Sequence, residues 1–93
     1  MKITSEDQIT FENPIEDNRI HYQDIVFNGE VIGALCERER NLFVPIDERY
    51  QICVPESEKN HFDGWYISED KGKILGYFHT LEKFIEYYNS KLI

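Results

Sequence analysis

"GWYISEDKGKILGYFHTLEKFIEYYNSKLI", residues 64–93, decides how the rest of the chain is read. Its opening alternates, with Trp65 and Ile67 on one side of an extended chain and Tyr66 and Ser68 on the other, the period of a strand. Glu69–Gly72 reads as a turn, because Gly72 is free to take positive φ. "KILGYF" is the return strand, with Ile74 and Phe78 on one face. After Thr80 the period changes: Leu81, Phe84, Ile85, Tyr88 and Leu92 recur at helical spacing and form one apolar stripe. Thr80 is a suitable N-cap. Glu82 in the first turn and Lys91 in the last suit the helix dipole. An amphipathic helix must bury its stripe against another layer. The segment therefore predicts a hairpin followed by a helix lying on a sheet.

Upstream, "RIHYQDIVFNGEVIGALCER" (19–38) is the strongest strand signal. Ile20 and Tyr22 share one face with Asp24, while Ile25 and Phe27 share another, and this slip of period predicts a bulge or bend near Asp24. Asn28-Gly29 is the favoured pair for a type I′ turn. The second arm alternates Val31, Gly33, Leu35 with Ile32, Ala34, Cys36; both faces are apolar or small, as in a central strand. "QITFEN" (8–13) reads as a short strand with Ile9 and Phe11 on one face, broken by Asn13-Pro14, and "IEDN" (15–18) as a turn. "LFVPI" (42–46) reads as an edge, since Pro45 donates no ladder hydrogen bond. "YQICV" (50–54) reads as a strand closed by Pro55, and "ESEKNHFDG" (56–64) as a polar loop. Gly33 and Gly76, inside strands, mark close packing, beneath the helix.

The expected fold is α+β: a curved antiparallel sheet of five or six strands with one C-terminal helix packed on one face, in a single domain over residues 1–93. Trp65, Ile67, Ile74, Phe78, Phe84, Ile85 and Tyr88 are the expected core. Tyr66, Tyr77 and Tyr87 fall on the opposite sides of their elements and are the expected exposed aromatics.

Charge narrows the function classes. The chain carries 18 acidic against 10 basic residues, a net charge of −8. Such a chain is repelled by nucleic-acid phosphates and by anionic membrane surfaces, and is attracted to basic proteins. No stretch approaches the ~18 apolar residues of a membrane span. The polar start "MKITSEDQIT" is read as neither signal peptide nor anchor, so the expected compartment is cytoplasmic, with Cys36 and Cys53 as free thiols in structural positions.

No residue pattern signals catalysis. No C-x-x-C, H-x-x-H or H-E-x-x-H spacing is present, and His61 with Asp63 in "HFD" makes only a two-ligand set, short of the four that zinc normally takes. No glycine-rich phosphate loop is present. "ERER" (37–40) reads as solvated surface. The expectation is a protein that is not an enzyme, with no cofactor and no metal.

In size and charge alone the chain is similar to immunity proteins that neutralise nuclease toxins and to phage inhibitors of host defence, including anti-CRISPR proteins and DNA mimics. What that likeness implies is a small acidic inhibitor of a basic, nucleic-acid-handling protein, itself a monomer or homodimer. Carboxylates on a rigid surface can occupy a cleft built for phosphates. The candidate contact residues are Glu6, Asp7, Glu12, Glu16, Asp17, Glu56, Glu58, Asp63, Glu69 and Asp70, with Tyr66 and Tyr77 as aromatic anchors. The competing readings are a small homo-oligomeric enzyme using His21, His61 or His79, and an assembly protein pairing through an edge strand.

Overall fold

Asn28 and Gly29 have φ of 54° and 80°, the left-handed values a type I′ turn requires at both central positions. They join β2 (Ile20–Phe27) to β3 (Glu30–Arg38). The structure is a computed structural model. It describes residues 1–17, 20–38, 49–68 and 72–92, with residues 16, 17, 20 and 38 described by backbone alone. The remaining strands are β1 (Ile9–Asp17), β4 (Tyr50–Cys53), β5 (Gly64–Ile67) and β6 (Ile74–Phe78), followed by the helix α1 (Leu81–Ser90). They form one six-stranded antiparallel sheet in the order β1-β2-β3-β4-β6-β5. The α+β expectation holds, and β3 is central, as its two apolar faces required. The edge read into "LFVPI" lies outside the described residues.

Two irregularities flank Asp24, where the sequence period slips. Between β1 and β2 the register shifts from Glu12↔Asp24 to Ile15↔Tyr22; between β2 and β3 it shifts from Ile25↔Gly33 to Val26↔Val31. The extra residues belong to β1 and β3, not to β2. The expected break at Asn13-Pro14 is instead a bulge, and the turn read into residues 15–18 is strand through Asp17. The reason is position: β1 is an edge strand, where a proline without an N–H is tolerated, and Asn13 absorbs the bulge at φ 54°.

The core lies between the sheet and α1. Phe84 is fully buried, its ring centroid 6.4 Å from those of both Tyr50 and Phe78. Gly33 makes room beneath it: a Cβ there would stand 2.8 Å from the Phe84 ring and 2.6 Å from the Gln51 carbonyl oxygen. Gly76 is also a close-packing position, but its neighbour is Phe62 and not the helix. Phe62 follows a 3₁₀ helix (Glu56–His61) in the stretch read as a polar loop, and its ring centroid lies 4.7 Å from those of both Phe78 and Tyr87. Tyr87 therefore faces the core, contrary to expectation. At the other end of α1, the Asn89 amide bonds the Ile3 N–H and C=O at 2.8 Å each and holds Ile3 in the core. Thr80 caps α1 by accepting from the Lys83 N–H.

Trp65 and Ile67 correct the expected core. They are 44% and 59% exposed. They share the helix-side face with Gly76 and Ile74, but β5 is the outer strand and a helix of ten residues, about 15 Å long, cannot cover six strands about 4.8 Å apart. Trp65 instead receives the Lys59 ammonium, 4.1 Å above its ring, a cation–π contact. Cys36 is buried and Cys53 is exposed, both as free thiols; the second, the last residue of β4, departs from the expected buried position.

Candidate functional site

Cross-strand partners share a face, so the register strings one row across the side of the sheet opposite α1: Glu12↔Asp24↔Ala34↔Gln51↔Tyr77. It runs from the edge strand β1 to β6. Cys53, Leu75 and Tyr66 form a parallel row beside it. A groove of about 560 Å³ opens on this face, with Tyr22 and Asp24 on the β2 side, Ala34, Gln51 and Cys53 in the middle and Lys73 on the far side. Gln51 is polar yet only 6% exposed, and its Nε2 has no hydrogen-bond partner among the described residues. Tyr66 and Tyr77, the expected anchors, are neighbours on this face, with ring centroids 6.5 Å apart.

Charge is divided between the halves of the sheet. Residues 1–38, which supply β1 to β3, carry eight carboxylates against three cations, Lys2, Arg19 and Arg38. Residues 49–92 are nearly balanced, with seven carboxylates against six cations. On the acidic side Glu6 and Asp7 are exposed in the 3₁₀ turn Glu6–Gln8. Glu12 accepts from the Thr10 hydroxyl at 2.7 Å and Asp24 from the Asn13 amide at 3.0 Å. No cation of the described residues pairs with either. The backbone of Glu16 and Asp17 belongs to β1, and their side chains lie outside the described residues, as do Glu69 and Asp70 entirely.

The other predicted carboxylates are engaged within the fold. Glu56 pairs with Lys59 at 3.2 Å. Glu58 accepts from Lys91 at 2.6 Å and from the Tyr87 hydroxyl, tying the 3₁₀ helix to α1. Asp63 accepts from the His79 N–H at 3.0 Å and from Lys83 at 3.1 Å. The Lys91 and Tyr87 hydrogen bonds hold the Glu58 carboxyl below its ordinary range. Partial burial pushes Asp63 up, but the His79 N–H and the Lys83 ammonium outweigh it and leave it lowered. Burial, then Glu58, pushes the Tyr87 phenol well above its ordinary value.

These directions predict a stability plateau with two shoulders. Depressed carboxyls contribute stability that is complete above their unfolded pKa, about 4, and is lost as pH falls through the folded values. A raised phenol contributes stability that is complete below about pH 10 and is lost as pH rises beyond it. The thermal midpoint is expected to be flat between about pH 5 and 9 and to fall on both sides. Tyr87→Phe should shrink the alkaline shoulder, leaving the part owed to Tyr50, whose phenol burial also pushes up, and Glu58→Gln with Asp63→Asn should flatten the acid one. An acid shoulder unchanged in that double variant would assign it to other groups.

Sequence reasoning missed Asp24 and Gln51 as site residues. Gln51 had a signal, a lone polar residue within an otherwise apolar "YQICV" strand; Asp24 had none until the register set it opposite Glu12. Among the described residues no three His, Cys, Asp or Glu side chains converge as metal ligands, and no helix is long and apolar enough to cross a membrane. No protein-family model, curated protein or solved structure matches the chain.

Proposed function

We propose that this protein is a small acidic binding module that blocks a basic, nucleic-acid-handling partner protein, of the kind a nuclease toxin or a host-defence complex presents. The observation that carries this reading is the excess of carboxylates over cations on the β1–β3 half of the sheet. Like charges directly opposite across strands destabilise a sheet, and Glu12 and Asp24 are such a pair. A partner's cations would remove that repulsion on binding, while the fixed strand spacing presents the carboxylates without an ordering cost. Glu6, Asp7, Glu12 and Asp24 are the contact residues this reading favours. Glu56, Glu58 and Asp63, already satisfied by Lys59, Lys91 and Lys83, would contribute less, because their own cations compete. Tyr66 and Tyr77 lie at the far end of the same face, where they would supply aromatic contact area.

The test is capture of a partner from the native host on the immobilised protein at low and high salt, followed by assay of the partner's nucleic-acid binding. A basic nucleic-acid-handling protein, displaced from its nucleic acid by this chain and released at high salt, is the expected result. Glu12→Lys with Asp24→Lys is expected to weaken the complex by about tenfold or more. A tight complex indifferent to salt and to both reversals would refute the electrostatic reading.

A further inference from the structure

We propose that the groove on the open face seats a short extended peptide segment of the partner, with an arginine or lysine against Asp24 and a backbone carbonyl oxygen on the Gln51 amide. The inference rests on the acidic half facing a partner, and goes beyond it by naming the seat and the chemistry that fills it.

Gln51 is the first reason. A side-chain amide that is 6% exposed and has no acceptor at Nε2 among the described residues is costly in the free protein, because buried donors are normally paired. Gln51 lines the groove; its Nε2 has no exposed surface of its own, so a turn of the side chain about its torsions must bring the amide to an acceptor seated there. A peptide carbonyl is a matching acceptor, strong and uncharged, so it suffers no repulsion from the carboxylates nearby.

Asp24 is the second. It lines the same groove, two cross-strand steps from Gln51 in the row Asp24↔Ala34↔Gln51. Glu12 stands beyond it, and the described residues supply neutral donors only, from Thr10 and Asn13. This end of the groove suits a cation. Lys73 lines the opposite end, which suits carbonyl oxygens or a terminal carboxylate and gives the seat a direction.

Size is the third. From β2 to β6 the groove crosses three interstrand steps, about 14 Å, the length of about four extended residues. Its volume of about 560 Å³ lies within the usual range of ligand sites. Ala34 and Leu75 leave a small apolar floor on which one aliphatic side chain can rest. A nucleic-acid strand of the same length would set phosphates against Asp24 and Glu12, and is disfavoured.

The probe is the capped tetrapeptide acetyl-Arg-Gly-Leu-Gly-amide, titrated at low salt into the ¹⁵N-labelled full chain, with citrulline in place of arginine as the uncharged isostere. Saturable shifts of the Gln51 side-chain NH₂ signals, together with backbone signals of Asp24, Ala34 and Cys53, are expected with the arginine peptide and not with the citrulline one. Gln51→Met removes the orphan donor at nearly constant volume. It should raise the thermal midpoint and weaken the peptide about tenfold, the worth of one hydrogen bond; Asp24→Asn should weaken it comparably. A Gln51 needed only for the fold would give the reverse: a lower midpoint and unchanged affinity. That result, or shifts confined to the β1 edge, would overturn the proposal. A salt-sensitive nucleic-acid-handling partner captured alongside such a failure would leave the acidic-surface reading standing. Peptide seated in the groove with no such partner captured would do the opposite.

Discussion

Phe84→Ala is expected to cost about 3–5 kcal/mol of folding stability, since Phe84 is the largest fully buried side chain among the described residues. Phe84 has no exposed surface and sits against both Tyr50 and Phe78, at the centre of the contact that Tyr87 and Tyr88 extend to Phe78 and Phe27. Part of the cost is lost transfer energy and part is the cavity left behind, which depends on how far the neighbours can collapse. Here they can do little. The surface below the ring is Gly33, which has no side chain to move upward, and its strand is fixed on both sides by β2 and β4. A folded chain of 93 residues has a total stability of roughly 5–14 kcal/mol, so the variant should retain only part of it. Urea unfolding followed by circular dichroism measures the change. Phe84→Leu, which keeps most of the volume, should cost about 1–2 kcal/mol. A loss below about 1 kcal/mol for Phe84→Ala would mean that α1 is anchored elsewhere.

The elements were legible where the signal is local. The stripe from Leu81 to Tyr88 specifies a helix and its buried side. Asn28-Gly29 specifies its turn through backbone sterics alone, and the apolar faces of residues 30–37 specify a central strand. Legibility fails where an answer depends on distance along the sheet. Alternation gives the side on which Trp65 and Ile67 lie, and that side is right, but it does not say that β5 is outermost and out of reach of α1. Phe62 was hidden because a single aromatic in "ESEKNHFDG" has no periodicity; only the vacancy at Gly76 explains its burial. The candidate site follows the same rule. Tyr66 and Tyr77 were readable as companions on one face, since a single hairpin sets their relation. The row Glu12, Asp24, Ala34, Gln51 and Tyr77 takes one residue from each of five strands, so it exists only once four registers are known. The roles of Glu58 and Asp63 as internal ties were unreadable for the same reason, because their partners lie on α1 and at His79.

Gly76→Val is expected to change sign with its surroundings, which makes it a stricter test of the packing than a truncation. In a strand, valine is ordinarily preferred to glycine, by up to about 1 kcal/mol. At this position a Cβ would run into the Phe62 ring. That ring cannot swing away, because Phe78 and Tyr87 each hold it at 4.7 Å between centroids. With Phe62 present, Gly76→Val should therefore destabilise the protein by about 1–3 kcal/mol, the usual cost of overpacking. In a Phe62→Ala background the obstruction is gone, and the same substitution should be neutral or stabilising. The two results close a double-mutant cycle whose interaction energy should exceed about 1 kcal/mol and favour the double variant. An interaction energy near zero would mean that Phe62 does not occupy the space above Gly76. The cycle also separates packing from binding. Phe62 and Gly76 lie on the α1 side of the sheet, whereas Asp24 and Gln51 face the other way in strands whose mutual register does not involve either residue. The folded fraction of each variant should therefore bind the arginine tetrapeptide as the parent chain does, and a loss of affinity that follows the loss of stability would tie the groove to the packing beneath it.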